Sequence, residues 1–326
     1  MFEVAGHNEQ MRMIKRAFDS QRFAHAYIIY GPDGVGKSVF ARYMASLLLC
    51  KGDAAHPMNK PCGKCEACHK IINNIHPDVV FSEPVKRGIV VDEIREIIDE
   101  IHLRPYEGSK KVIIIKDVQN MTPQAQNAFL KTLEEPDEGS FIIMLTSSLE
   151  TILETIRSRC QIIRLGRIPE DEVKEYLIDN GVETENAELA AALSDGIIGN
   201  ALRMLDGGYM QLRKETVENA CSIIKGAVLD VFTMYEWFNK NKNNIDDILD
   251  NMISWYRDLI MLKNTSDKKH IVNRDYYELL VEASQILSYN RLNVIIRIIM
   301  DTKEKLRQNV NFELAIEVML LNIQEV

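Results

Sequence analysis

Between Ala26 and Ser38 the chain reads AYIIYGPDGVGKS, and no other stretch limits the fold as tightly. Tyr27, Ile28, Ile29 and Tyr30 form an unbroken run of β-formers, the pattern of a buried strand. They lead straight into Gly31-Pro-Asp-Gly-Val-Gly-Lys37-Ser38, which fits G-x-x-x-x-G-K-[ST]. Val39 to Leu49 then reads as a helix with no interior Gly or Pro. Strand, glycine-rich turn and helix together are the setting of a phosphate-binding loop. Gly31, Gly34 and Gly36 let the backbone turn tightly, so that successive N–H groups face one anion. The start of the helix adds its dipole, Lys37 a point charge, and Ser38 a hydroxyl able to ligate magnesium. The loop therefore predicts ATP or ADP with magnesium as ligand; whether the nucleotide is hydrolysed is a separate matter.

Around this unit, strands and helices alternate. A short entry segment and a helix are expected over residues 3–20, with Met11, Ile14, Ala17 and Phe18 on one face. Val79 to Phe81, Val112 to Ile115, Phe141 to Leu145 and Ile162-Ile163 read as further strands. Val90 to Leu103 is an amphipathic helix, and Ala125 to Leu133 another, stopped by Pro136. Such alternation predicts a parallel sheet covered on both faces. The character changes near Arg167-Ile-Pro169: no proline follows, and the remainder has helical spacing. A length of 326 residues suits two or three domains. The expected division is an α/β nucleotide-binding module over 1–166, a small helical lid over 167–208 closed by Gly207-Gly208, and a bundle of about five helices over 209–326.

The net charge of −9 argues against a large basic surface that wraps nucleic acid. The N-terminus lacks the apolar core of a secretory signal, and no run approaches the roughly 18 apolar residues of a membrane span. A cytoplasmic protein without membrane contact is expected.

Four of the six cysteines cluster as C-x11-C-x2-C-x2-C: Cys50, Cys62, Cys65 and Cys68. In a cytoplasmic chain such spacing points to metal or redox chemistry rather than disulfides. Four thiolates satisfy one tetrahedral zinc and leave no open position, so a zinc held by the module 50–68 is expected to be structural. Cys160 and Cys221 stand alone and read as ordinary small residues.

Three further stretches carry a resemblance: KVIIIKD (Lys111 to Asp117), NAFLKTLEEP (Asn127 to Pro136) and TIRSRCQ (Thr155 to Gln161). With the phosphate loop and the four-cysteine insertion, residues 1–166 resemble the bacterial clamp-loader branch of the AAA+ ATPases. The likeness continues more weakly to Arg307–Leu321, RQNVNFELAIEVMLL, which is similar to that family's last helix. The resemblance implies an AAA+ module, lid and helical collar, assembled with gamma/tau motor subunits and delta into a ring of five. The ring opens a sliding clamp and places it on primer–template DNA.

The same resemblance assigns residues. The acids that hold magnesium and polarise water in the motors fall on Lys116 and Asp117, so a cation stands in the metal position and Asp117 is a single carboxylate where two are needed. Thr146 matches a polar sensor at a strand end. The position of the lid's sensor arginine is Gly199, with Arg203 one turn further on. Ser158-Arg159-Cys160 matches the motif whose arginine, here Arg159, reaches into a neighbouring subunit's ATP site. The expectation is a subunit that contacts nucleotide, turns over little or none alone, and completes a neighbour's site. Two other readings stay open: an active ATPase of the gamma/tau type, and a zinc-bearing interaction module without nucleotide binding.

Overall fold

Strand β1 (Ala26–Tyr30) lies at the centre of the phosphate-loop unit, and the sheet is built outward from it. In the computed structural model, which describes residues 4–52, 61–83, 88–224, 231–264, 271–308 and 310–325, four more strands join it. They are β2 (Val79–Ser82), β3 (Lys111–Ile115), β4 (Ser140–Thr146) and β5 (Gln161–Arg164), in the order β2-β3-β4-β1-β5. All pairings are parallel; Ile28 lies opposite Met144 and Ile29 opposite both Leu145 and Ile163. The α/β sheet expected from the alternating pattern is present.

Because side chains alternate along a strand, each face of the sheet acquires its own core. Tyr27, Ile29, Val112 and Ile114 pack with Phe40, Met44 and Leu47 of helix α2 (Lys37–Leu49) and with Ile14 of α1 (Asn8–Asp19). Ile28, Ile113 and Ile115 pack on the other face. Their partners are Ile94 and Ile97 of α4 (Val91–His102), and Phe129 and Leu133 of α5 (Pro123–Glu134). Each fully buried isoleucine contributes about 1.5–3 kcal/mol relative to exposure. Helix α3 (Glu66–Ile72) sends Ile71 into the first core. Helix α5 begins two residues before the apolar pattern does, because Thr122 Oγ accepts from the Ala125 N–H at 3.2 Å and Pro123 occupies the first turn. A single helical turn, α6 (Glu154–Arg157), precedes β5. Helices α7 (Glu170–Asp179), α8 (Thr184–Leu193) and α9 (Ile198–Met204) follow it.

The chain packs as two compact units, residues 1–201 and 202–326. Among the described residues the second holds six helices rather than about five. They are α10 (Gly207–Ile224), α11 (Val231–Lys240), α12 (Ile245–Asn264), α13 (Tyr277–Ile286), α14 (Tyr289–Arg307) and α15 (Phe312–Glu325). Breaks without Gly or Pro divide the run: Ser288 Oγ accepts from the Arg291 N–H and starts α14 immediately after α13 ends. Gly207 and Gly208 open α10 instead of closing the preceding unit. The core is built on α12, where Met252, Trp255, Tyr256 and Leu259 are buried.

One charged group is set into this second core. Arg213 of α10 is 1% exposed. Its Nη1 and Nη2 donate to both oxygens of Asp275 at 2.5 and 2.8 Å, and Nη2 also donates to Asn273 Oδ1 at 2.7 Å. The Tyr276 ring lies 4.8 Å from the guanidinium carbon. Asn273 is fixed in turn by the buried carboxylate of Asp258, which accepts from its backbone and side-chain N–H groups at 2.7 Å each. No described helix is long and apolar enough to cross a membrane.

Candidate functional site

The phosphate loop joins β1 to α2, and its glycines are required for different reasons. Gly34 and Gly36 have φ of +80° and +101°, a region that costs a residue with a Cβ. At Gly31 a Cβ would lie 2.1 Å from the Leu165 carbonyl oxygen, so the strand-to-loop turn admits only glycine there. The Gly31 N–H donates to Thr146 O at 3.2 Å, which places the end of β4 beside the loop. Lys37 and Ser38 open α2, and their N–H groups have no intrahelical acceptor. The backbone thus has the form that receives a phosphate. Lys37 is folded onto its own loop: Nζ donates to Gly31 O at 2.7 Å, Pro32 O at 3.0 Å and Asp33 Oδ1 at 3.0 Å. To meet a phosphate, the ammonium would have to exchange these oxygens for it.

Two residues that sequence reasoning did not connect with the loop press against it. His7, buried, lies 3.3 Å from Val35 O through Nε2. Burial lowers its pKa, against the raising effect of the Val35 bond and Glu172. Gly199, at the start of α9, donates its N–H to Gly34 O at 2.9 Å, and a Cβ on Gly199 would lie 2.7 Å from Gly34 Cα. Gly199→Ala is therefore expected to destabilise the unit by about 1–3 kcal/mol, since backbone meets backbone and no flexible side chain can yield. Calorimetry and amide exchange at residue 199 check this; unchanged exchange would remove the contact.

The carboxylate side of the site differs from a simple strand continuation. Strand β3 ends at Ile115, and Asp117 is left-handed, with φ +53°, so it does not continue the strand's alternation. Its Oδ1 accepts from Gln119 Nε2 at 3.1 Å, and Gln119 Oε1 accepts from the Ser147 N–H at 3.2 Å, tying the ends of β3 and β4. Lys116 forms an ion pair with Glu83, which follows β2 on the side of β3 remote from β1. Thr146 is fully buried, and its hydroxyl donates to Ser148 O at 2.8 Å while accepting from the Ser148 N–H, so it serves its own turn. Arg203 pairs with Asp247 at 2.8 Å within the second unit.

The cysteines converge. The sulfurs of Cys50, Cys62, Cys65 and Cys68 all lie within 4.8 Å of one another, with Cys50 Sγ 3.5 Å from Cys62 Sγ and 3.9 Å from Cys65 Sγ. Sulfurs at about 2.3 Å from one tetrahedral zinc are roughly 3.8 Å apart. The donor set fits a structural zinc. Backbone N–H groups of Gly52 and Cys62 point at Cys50 Sγ, that of Cys65 at Cys62 Sγ and that of Cys68 at Cys65 Sγ, as thiolates require. Burial raises the Cys65 thiol, but N–H donation from Cys68 and Lys51, with the adjacent thiols, outweighs it and brings the pKa to about 6. Burial pushes Cys68 up. Cys50 caps the end of α2 and Cys65 the start of α3, so the centre joins two helices; residues 53–60 of the expected module lie outside the described residues. Lys70 of α3 pairs with Glu107 at 2.5 Å, and Asp78 accepts the N–H groups of Tyr106 and Glu107, which straps the module to the segment before β3.

Arg159 follows α6. Its Nη1 donates to Thr155 O at 2.8 Å and Ser158 Oγ at 3.2 Å, and its Nη2 pairs with Glu134 Oε1 at 2.6 Å. None of these partners belongs to the phosphate loop. Cys160 beside it is buried, which pushes its thiol up to about 12, and Cys221 is half-buried; neither joins the four-thiolate group.

A family model described as DNA polymerase III, delta subunit, matches residues 6–169, and one described as DNA polymerase III, delta subunit, C terminal, matches residues 208–325. The DNA polymerase III subunit delta' of Bacillus subtilis (strain 168) is 26% identical over 319 residues, covering 97% of this chain and 95% of its own. The chain belongs to the delta' family of DNA polymerase III subunits. The delta' subunit of Escherichia coli (strain K12) is 29% identical over 315 residues, covering 94% of this chain and 91% of its own. The tau subunit of Bacillus subtilis (strain 168) is 28% identical over 83% of this chain, which spans 52% of tau. Family membership bears out the resemblance to the bacterial clamp-loader branch.

Proposed function

We propose that this delta' chain is the stator of a replicative clamp loader and supplies Arg159 in trans to the ATP site of an adjoining subunit. It assembles with gamma/tau and delta subunits into a ring of five through a collar made by residues 209–326. Residues 1–166 form the AAA+ module and 167–208 the lid. The ring opens the sliding clamp in the cytoplasm and sets it on primer–template DNA. Four thiolates hold a structural zinc, and the Gly31–Ser38 loop receives ATP or ADP with magnesium without turning it over.

The observation that carries this reading is the placement of Arg159: its guanidinium is held by Glu134 of α5, Thr155 of α6 and Ser158 directly after α6, and none of these lies on its own phosphate loop. A guanidinium in that position serves no phosphate in cis, and delivered to a neighbour it stabilises charge developing on a transferred phosphoryl group. The poor fit to hydrolysis supports the same conclusion. Lys116 is paired with Glu83, Asp117 with Gln119, and the Thr146 hydroxyl with Ser148, so each polar group that the motors direct at nucleotide is otherwise employed here.

In a loader reconstituted with gamma/tau, delta, clamp and primed DNA, Arg159→Ala is expected to slow the adjoining ATP site by roughly a hundredfold or more. The ring should still elute as a complete assembly. Unchanged turnover in the mutant loader removes the assignment, and turnover by the isolated wild-type chain, abolished by Lys37→Ala, turns the reading to an active ATPase.

A further inference from the structure

We propose that Glu134 is a positioning residue for Arg159, holding the guanidinium on its own subunit until a more highly charged anion on a neighbour takes it. The inference rests on the reading of Arg159 as a finger in trans.

Glu134 is the last residue of α5. An acidic side chain is misplaced at a helix C-terminus, where the backbone dipole is negative and cations are favoured. A local rule broken at one residue calls for a compensating partner, and the cation at 2.6 Å is Arg159. The position is fixed on both sides, since Leu133 is buried in the sheet's second core and Pro136 ends the run. With Glu134 on Nη2 and with Thr155 O and Ser158 Oγ on Nη1, the docked guanidinium is oriented through both of its terminal nitrogens.

The pair is also easily exchanged. The side chains are 35% and 48% exposed, so water reaches both charges and the attraction is modest. A single exposed carboxylate loses the guanidinium to a triphosphate, whose oxygens accept from the same fork with greater charge. In the absence of that competitor the docked arrangement is favoured. Glu134 thereby opposes premature engagement of the neighbour's nucleotide.

Glu134→Gln keeps size and an acceptor but removes the charge. In the reconstituted loader without DNA it is expected to raise basal ATP turnover roughly two- to fivefold. It should leave the DNA-stimulated maximum nearly unchanged, so that the stimulation ratio falls. In Glu134→Gln/Arg159→Ala the gain disappears and the rate matches Arg159→Ala alone. In the isolated chain, the guanidinium nitrogen resonances of Arg159 should show faster rotation in Glu134→Gln than in wild type. If Arg159→Ala slows the loader but Glu134→Gln changes neither basal rate nor guanidinium dynamics, the positioning role fails and the finger stands. A fall in basal rate in Glu134→Gln also overturns it, because the carboxylate would then be presenting the arginine rather than retaining it. If Arg159→Ala is without effect on turnover, the finger reading fails first, and the positioning role falls with it.

Discussion

Arg213→Ala is expected to lower the melting temperature of residues 202–326 by roughly 10 °C, from a loss of about 2–3 kcal/mol as a buried guanidinium and its charge-assisted hydrogen bonds are removed. The size follows from what remains behind. Without the guanidinium, the partly exposed Asp275 loses both of its short bonds, and the buried Asn273 Oδ1 loses its donor beside the packed Trp255, Tyr256 and Leu280. The Tyr276 ring loses its cation as well. Arg213→Lys keeps the charge but not the planar fork, and should recover less than half of the loss. Both tryptophans, Trp237 and Trp255, lie in this unit, so their fluorescence follows its unfolding alone. A shift below about 3 °C in Arg213→Ala would mean that the network is held by Asp258 and Asn273 without the arginine.

The second large effect is expected in the other unit. Purified chain should carry one zinc, and stripping it with a chelator should lower the unfolding transition of residues 1–201 by roughly 10 °C while the tryptophan signal stays in place. If free zinc stands a thousandfold above its dissociation constant, the ion stabilises the folded unit by about 4.1 kcal/mol. Cys62→Ser should lose the metal to competing chelators at concentrations that leave the wild type loaded. The effect reaches beyond the thiolates, because the centre joins the end of α2 to the start of α3, and Lys70 of α3 is strapped to Glu107. A metal-free chain that melts with the native one would show that the four sulfurs are held by packing alone.

The parts of the fold that could be read in advance are those written in local pattern. The isoleucine runs at 28–29 and 113–115 had to be interior strands, and the glycines of the loop and the cysteine spacing announce their backbone and their chemistry directly. What escaped depends on residues far apart in the chain. Nothing near Arg213 marks it as buried, because its carboxylate partner lies 62 residues away. Glu134 and Arg159 look like separate surface charges until α5 and α6 are placed together. The left-handed backbone of Asp117 is set by the turn that follows β3, and no local pattern announces it. The spacing predicts about five helices where six form, since a serine cap, unlike Gly or Pro, divides helices without interrupting an apolar pattern. Thr122-Pro123 is a legible start signal for α5 that lies ahead of the apolar spacing.

The contact between Gly34 and Gly199 bears on which substitutions the loop tolerates. With its Cβ position 2.7 Å from the neighbouring backbone, residue 199 cannot accept any side chain by a single substitution without forcing the segment off the loop. A side chain at 199 would need α9 to be re-seated first, and until then it costs stability. The glycine pair acts as a latch that admits nothing larger while it is closed.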